Sequence, residues 1–151
     1  MNNIKTIYVL IGIPGAGKTY YREKNLSTLN YISCDELREK HFGLERSFEI
    51  RQEVSKIIKE NLVAMSLETQ DFVVDSTYFN KKEERKFLFE NFQNFNIIGV
   101  YLDTPLKKAI SQNNLREEHR RISEKMIEKF YNELEPPSEE ENFFDILEIL
   151  K

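Results

Sequence analysis

Cysteine is almost absent from this chain of 151 residues, which contains Cys34 and no other. An internal disulfide is therefore excluded, and no cluster of cysteine with histidine can build a zinc site. This use of cysteine is typical of a reducing compartment, and it predicts a cytoplasmic protein.

Long apolar runs and an excess of positive charge are missing as well. Nothing approaches the roughly 20 apolar residues of a membrane-spanning helix, and the short apolar run in the first 13 residues continues directly into a glycine-rich loop, unlike a leader. The formal net charge of -4 argues against a protein that coats nucleic acid, although it leaves room for a local basic groove. With 40% hydrophobic residues, the chain predicts one domain over residues 1–151.

Glycine is scarce, but three of the five glycines lie in residues 12–19, a stretch that matches G-x-x-x-x-G-K-[ST]. A β-branched and aromatic run precedes it and a helical pattern follows it, which is the order that a phosphate-binding loop requires. Left-handed glycines would point successive N–H groups at an anion, at the positive end of the helix. The candidate residues for ATP or another NTP are Gly12, Gly15, Ala16, Gly17, Lys18 and Thr19, with Lys18 on the β- and γ-phosphates and Thr19 on Mg²⁺.

Two charged side chains follow the second predicted strand, residues 29–33. Asp35 and Arg38 are three residues apart at the start of a helix, so they project toward the same side. In an open α/β sheet, side chains just beyond the carboxyl end of a strand face the ligand crevice. A helix-capping role for Asp35 and a solvated position for Arg38 are the alternatives.

A third predicted strand, residues 72–74, ends at Asp75. Folds with a phosphate-binding loop place at such a strand end the carboxylate that orients the water shell of the metal. We therefore expect Asp75 to act on Mg²⁺ through water, and a turn or cap aspartate is the alternative.

Residues 116–121 contain three arginines without an apolar stripe, which is typical of a polar flap. A lid over approximately residues 113–123 could bring Arg116 and Arg120 over the nucleotide, where they would supply positive charge to a phosphoryl group in transfer. The alternative is a basic helix end that complements the helix dipole.

The remaining pattern predicts a doubly covered α/β fold. Strands at residues 4–11, 29–33, 72–74 and 96–103 alternate with helices, and residues 144–150 form either a fifth strand or a short helix. Such alternation predicts a parallel sheet with helices on both faces. The charged residues 81–86 and 139–141 are expected to be solvated surface.

Taken together, these motifs resemble the P-loop kinase family of the 5′-hydroxyl polynucleotide kinases, related to AAA-type and zeta-toxin-like kinases. The resemblance covers nearly the whole chain. It rests on GIPGAGKT, Asp35-x-x-Arg38, Asp75-Ser76-Thr77, Asn113-x-x-Arg116 and the later segment FYNELEPPSEEENFFDIL.

The resemblance implies a five-stranded parallel sheet of order 2-3-1-4-5 with a helical lid. It implies that Asp35 is the general base, that Arg38 binds a phosphate of the acceptor, and that Arg116, with Arg120 as the second candidate, contacts the ATP phosphates. The expected activity is transfer of the γ-phosphate of Mg·ATP to a hydroxyl, most simply the 5′-hydroxyl of a polynucleotide. A small-molecule kinase and a nucleotide-dependent ATPase switch are the alternatives.

Overall fold

The computed structural model describes residues 3–150, so Met1, Asn2 and Lys151 of the predicted domain lie outside the described residues. Five strands and six α-helices make up the described part. The strands are β1 (Lys5–Ile11), β2 (Asn30–Ser33), β3 (Phe72–Asp75), β4 (Phe95–Asp103) and β5 (Asp145–Leu150). The helices are α1 (Lys18–Asn25), α2 (Cys34–Phe42), α3 (Phe48–Ser66), α4 (Lys82–Asn91), α5 (Leu106–Asn113) and α6 (Glu124–Glu133), and short 3-10 turns occupy Thr77–Asn80 and Glu118–Arg120.

All five strands are parallel and lie in the order β2-β3-β1-β4-β5. The predicted order is thus confirmed, and residues 145–150 form a strand rather than a helix. Leu10 and Ser33 both pair with Asp75, so β1, β2 and β3 end at the same level. Because parallel strands end at a common edge, the loops that follow them meet there.

Helices cover both faces of the sheet, as the alternating pattern predicts. On one face, α3 packs Val54, Ile58 and Leu62 against the strands, and α4 adds Leu88. On the other face, helices α1, α5 and α6 pack against the sheet and the phosphate-loop segment. Burial of each large aliphatic side chain contributes roughly 1.5–3 kcal/mol, so the core is held mainly by this packing. Within residues 3–150, no helix combines the length and the apolar character needed to cross a bilayer.

The expectation that residues 81–86 and 139–141 are solvated is wrong for two of them. The Arg85 side chain is fully buried, and it forms two hydrogen bonds with the Glu141 carboxylate, at 2.7 and 2.9 Å. It also donates to the Phe79 carbonyl at 3.0 Å. The planar guanidinium can be buried because most of its donors find acceptors.

Arg85→Ala should destabilise the fold by about 3–5 kcal/mol, because it leaves the carboxylate of Glu141 in a largely buried position without its partner. Chemical denaturation monitored by circular dichroism measures the effect. Lys86→Ala on the same helix, which breaks an exposed pair with Glu83, is the control and should leave the denaturation midpoint nearly unchanged. Equal midpoints for the two variants would contradict a structural role for Arg85.

Candidate active site

A cleft of about 980 Å³ lies at the carboxyl edge of the sheet, where the loops after β1, β2 and β3 meet the segment between α5 and α6. Most of the predicted site residues line it, namely Gly15, Gly17, Lys18, Thr19, Asp35, Arg38, Asp75 and Arg116. Gly12, Ala16 and Arg120 do not line it.

The glycine loop has the expected shape at two of its three glycines. Gly15 and Gly17 have φ values of 86° and 91°, in the left-handed region that glycine tolerates best. A Cβ on Gly15 would lie 2.2 Å from the Ala109 carbonyl oxygen. The prediction of such a φ for Gly12 is wrong. This position needs glycine for space, because a Cβ would lie 3.2 Å from that of Ala16.

The Lys18 side chain folds back onto the glycine loop. Its Nζ donates to the carbonyls of Gly12 and Ile13, at 2.9 and 3.1 Å. Burial lowers the pKa of the ammonium group from 10.5, although Asp75 and Asp35 act in the opposite direction. The cation therefore lies between the loop and the two carboxylates, where it can meet a phosphate.

The first glycine of the loop is held by a side chain that the sequence analysis did not identify. Asn80 accepts from the Gly12 N–H at 3.1 Å and donates to the Gly12 carbonyl at 2.9 Å. The buried Asn80 ends a 3-10 turn just before α4, which begins at Lys82. The amide thus fixes the exit of β1 by two hydrogen bonds.

Asp75 lies beside Thr19, as its predicted role requires. Its Oδ2 accepts from the Thr19 hydroxyl at 2.9 Å. Hydroxyl and carboxylate oxygens are the donors that Mg²⁺ prefers, so the pair fits the predicted metal. Within residues 3–150, no group of three His, Cys, Asp or Glu residues could hold a metal without other ligands. Phosphate oxygens and water would therefore have to complete the coordination.

Arg22 is a second residue that the sequence analysis missed. Its Nε lies 3.3 Å from the same Asp75 Oδ2, and both side chains are buried. Its guanidinium carbon lies 3.6 Å from the centre of the Tyr31 ring, a stacked cation–π contact. The available signal was spacing, because Arg22 follows Lys18 by four residues and therefore shares its face of α1.

The Asp35 carboxylate lies between two arginines. Oδ1 accepts from Arg38 and Oδ2 accepts from Arg116, both at 2.8 Å. Desolvation raises the pKa of Asp35, but the charges of Arg116 and Arg38 outweigh it and leave the pKa below the ordinary 3.8. The side chain that caps α2 is Ser33, not Asp35, and Arg38 is buried rather than solvated.

The two candidate arginines of the predicted lid contact different carboxylates. Arg116 turns inward to Asp35, whereas Arg120 lies against α2, with two hydrogen bonds to the Glu39 carboxylate at 3.0 and 3.2 Å. The buried Asn113 closes the segment, because its side chain bonds both the N–H and the carbonyl of Ile122. A contact of Arg120 with ATP phosphates stays a prediction.

The cleft is strongly positive although the chain carries a net charge of -4. Six cationic and two acidic side chains line it, and the acidic ones are Asp35 and Asp75. Arg46, Arg51 and Arg121 are the cations that the sequence analysis did not assign to the site. Arg121 lies in the predicted lid, whereas Arg46 and Arg51 come from chain segments without a motif, and only the fold brings those two to this edge.

The strand order, the glycine loop and the lid define an α/β P-loop kinase fold. The chain belongs to the AAA domain family, whose sequence pattern matches residues 7–137. No curated protein matches the chain.

Three solved structures illustrate the similarity. A chain of the Pnkp1/Rnl/Hen1 RNA repair complex is 18% identical with a TM-score of 0.74, over 89% of this chain and 45% of that chain. A gluconokinase from Sinorhizobium meliloti 1021 is 17% identical with a TM-score of 0.66, and the match covers 99% of this chain and 84% of the gluconokinase. A fungal RNA kinase is also 17% identical with a TM-score of 0.65, and the match covers 98% of this chain and 38% of the RNA kinase.

This chain therefore spans less than half of the RNA repair and RNA kinase chains, and most of the gluconokinase. At these identities the similarity shows the fold alone. Because sugar and RNA kinases share the fold, it does not select the acceptor.

Arg22→Gln should weaken Mg²⁺-dependent ATP binding by roughly tenfold or more, because the buried Asp75 loses the cation that holds it. Isothermal titration of ATP with and without Mg²⁺ measures the effect, and binding without Mg²⁺ should change little. Arg22→Lys, which keeps the charge but loses the planar stacking on Tyr31, should recover part of the loss. A stable Arg22→Gln protein with unchanged Mg²⁺ dependence would contradict this role.

The Asp35 carboxyl should titrate below pH 3.8 in an NMR experiment, and Arg116→Gln should move its midpoint upward. Because the folded-state pKa is lowered, ionised Asp35 stabilises the fold above its unfolded-state pKa, and this contribution is lost as the pH falls through the folded-state pKa. A midpoint that Arg116→Gln does not move would show that another group lowers the pKa.

Proposed function

We propose that this protein is an Mg·ATP-dependent kinase that phosphorylates the 5′-hydroxyl of a polynucleotide. The observation that carries the proposal is the position of Asp35, an ionised carboxylate in the same cleft as Lys18 and the glycine loop. One side of this cleft suits a triphosphate and the other suits a hydroxyl acceptor.

On the donor side, the backbone N–H groups of the loop and Lys18 bind the β- and γ-phosphates. Gly15 and Gly17 give the loop the conformation that exposes these N–H groups. Thr19 and, through water, Asp75 hold Mg²⁺, which supplies charge neutralisation on the phosphates when bound. Arg22 holds the Asp75 carboxylate beside Thr19.

On the acceptor side, Asp35 orients the hydroxyl and accepts its proton as the oxygen–phosphorus bond forms. The bond between the γ-phosphorus and the bridging oxygen breaks, and ADP leaves with the electron pair. A carboxylate is ionised at neutral pH, so Asp35 can accept the proton without prior activation. The charges of Arg116 and Arg38 that lower its pKa also make it a weaker base. Arg38 binds a phosphate of the acceptor.

Arg116 belongs to both sides of the cleft. In the structure it binds Asp35 at 2.8 Å, and the lid segment that carries it borders the loop that would hold ATP. We assign it to stabilise negative charge on the transferring group. Arg120 acts indirectly, through the bonds that fasten the lid to Glu39.

A kinase for a small phosphate-free or phosphorylated metabolite is the second candidate. The similarity to a gluconokinase over most of both chains and the net charge of -4 favour it. Transfer of labelled γ-phosphate from ATP to a 5′-hydroxyl oligonucleotide, measured beside nucleosides and sugar acids, separates the two. Preferential labelling of a sugar acid would overturn the first candidate, and rapid ATP hydrolysis without an acceptor would favour an ATPase switch.

Asp35→Asn should lower kcat by about 10²–10⁴, as expected for loss of a general base, and should leave ATP affinity nearly unchanged. Glu36→Gln is the matched control, because Glu36 is the neighbouring carboxylate on α2, bonds Tyr31 and does not line the cleft. Steady-state kinetics on the preferred acceptor measure both variants. Full activity of Asp35→Asn would exclude Asp35 as the base.

A further inference from the structure

The arginines of the cleft fall into two groups. Arg38 and Arg116 share the carboxylate of Asp35. Arg46, Arg51 and Arg121 line the same cleft, and among residues 3–150 none of them has a carboxylate within ion-pair distance. Because the six cationic side chains of the cleft outnumber its two carboxylates, the cleft favours an anionic ligand.

Arg46 extends this positive charge toward Asp35. It lies in the segment between α2 and α3, is partly buried, and donates to the backbone carbonyl of His119 at 3.1 Å. Burial and the neighbouring Arg38 lower the pKa of Arg46, so the like charges are close enough to interact. An anion between these guanidinium groups would remove their repulsion.

Arg51 carries the positive surface further, out of the main cleft. It lies in α3 and lines both the cleft and an adjoining groove of about 290 Å³. Thr77 and Phe130 also line both, so the two spaces adjoin. The groove adds the aromatic side chains of Phe48 and Tyr78, and Phe48 is 63% exposed.

Cations beside aromatic rings along a groove are the combination that binds single-stranded nucleic acid, with phosphates on the cations and bases on the rings. The donor phosphates already have the glycine loop and Lys18 on the opposite side of the cleft. Arg46, between α2 and α3, and Arg51, in α3, are therefore available to bind a phosphate of the acceptor.

We propose that Arg46 and Arg51 form a phosphate subsite for the acceptor, and that the acceptor is a phosphodiester chain whose second nucleotide enters the groove lined by Phe48, Tyr78 and Phe130. This inference rests on the proposed kinase function and deepens it. The proposed subsite is filled only by an acceptor of at least two nucleotides. A nucleoside or a sugar acid is too short to fill it and should therefore not reach full activity.

The test compares kcat/KM for a nucleoside, a nucleoside 3′-phosphate, a dinucleotide with a 3′-phosphate and a ten-nucleotide strand. Wild-type protein should prefer the dinucleotide to the nucleoside 3′-phosphate by roughly 10- to 100-fold, the range expected for one added charge-assisted contact. Arg51→Gln and Arg46→Gln should lose most of this preference. For the ten-nucleotide strand, a plot of log kcat/KM against log salt concentration should be less steep in both variants than in the wild type. The slope should change by about one, because one phosphate contact fewer releases about one counterion fewer.

Lys56→Gln is the matched control, since it removes a charge from the same helix at a side chain that pairs with Glu53 and does not line the cleft or the groove. It should keep the wild-type preference for the dinucleotide. Phe48→Ala removes an exposed ring, so it should not unfold the protein, and it should lower activity on the dinucleotide while sparing the nucleoside 3′-phosphate.

Equal wild-type activity on the nucleoside 3′-phosphate and the dinucleotide would overturn the subsite and leave the kinase assignment intact. Equal losses in Arg51→Gln and Lys56→Gln would overturn it as well, and so would a preference for a phosphorylated sugar. Absence of transfer to every acceptor would instead contradict the proposed function itself. These two failures are therefore distinguishable.

Discussion

The 2.8 Å contact between Arg116 and Asp35 joins two parts of the chain that are 81 residues apart, the lid and the end of β2. The geometry of the cleft depends on it. It lowers the pKa of Asp35, it holds the lid against α2 together with the Arg120–Glu39 pair, and it places an arginine in the cleft that also contains Lys18. One ion pair therefore links the shape of the cleft to its charge.

Two buried asparagines bind the backbone at the start of the glycine loop and at the end of the lid. Asn80 binds both backbone groups of Gly12 at the exit of β1, and Asn113 binds both backbone groups of Ile122 at the end of the lid. Each amide pairs with one backbone donor and one backbone acceptor, and the pair at Gly12 is buried. The glycine loop and the lid thus have defined ends, and the residues between those ends carry the charged groups of the site.

The residues that the sequence could identify are those whose role follows from local order. The glycine loop, the acids after β2 and β3, and the parallel sheet all follow from short patterns along the chain. Asn80 and the buried Arg85 could not be identified in this way, because each depends on a partner at least 56 residues away. The role of Gly12 was misjudged for the same reason, since its neighbour Leu102 lies on β4.

The close approach of Gly15 to Ala109 couples the glycine loop to α5. A single added methyl group at Gly15 would collide with the carbonyl of Ala109, so the glycine loop rests directly on α5. The same helix ends at Asn113, which anchors the lid. The glycine loop and the anchor of the lid are therefore linked mechanically through α5.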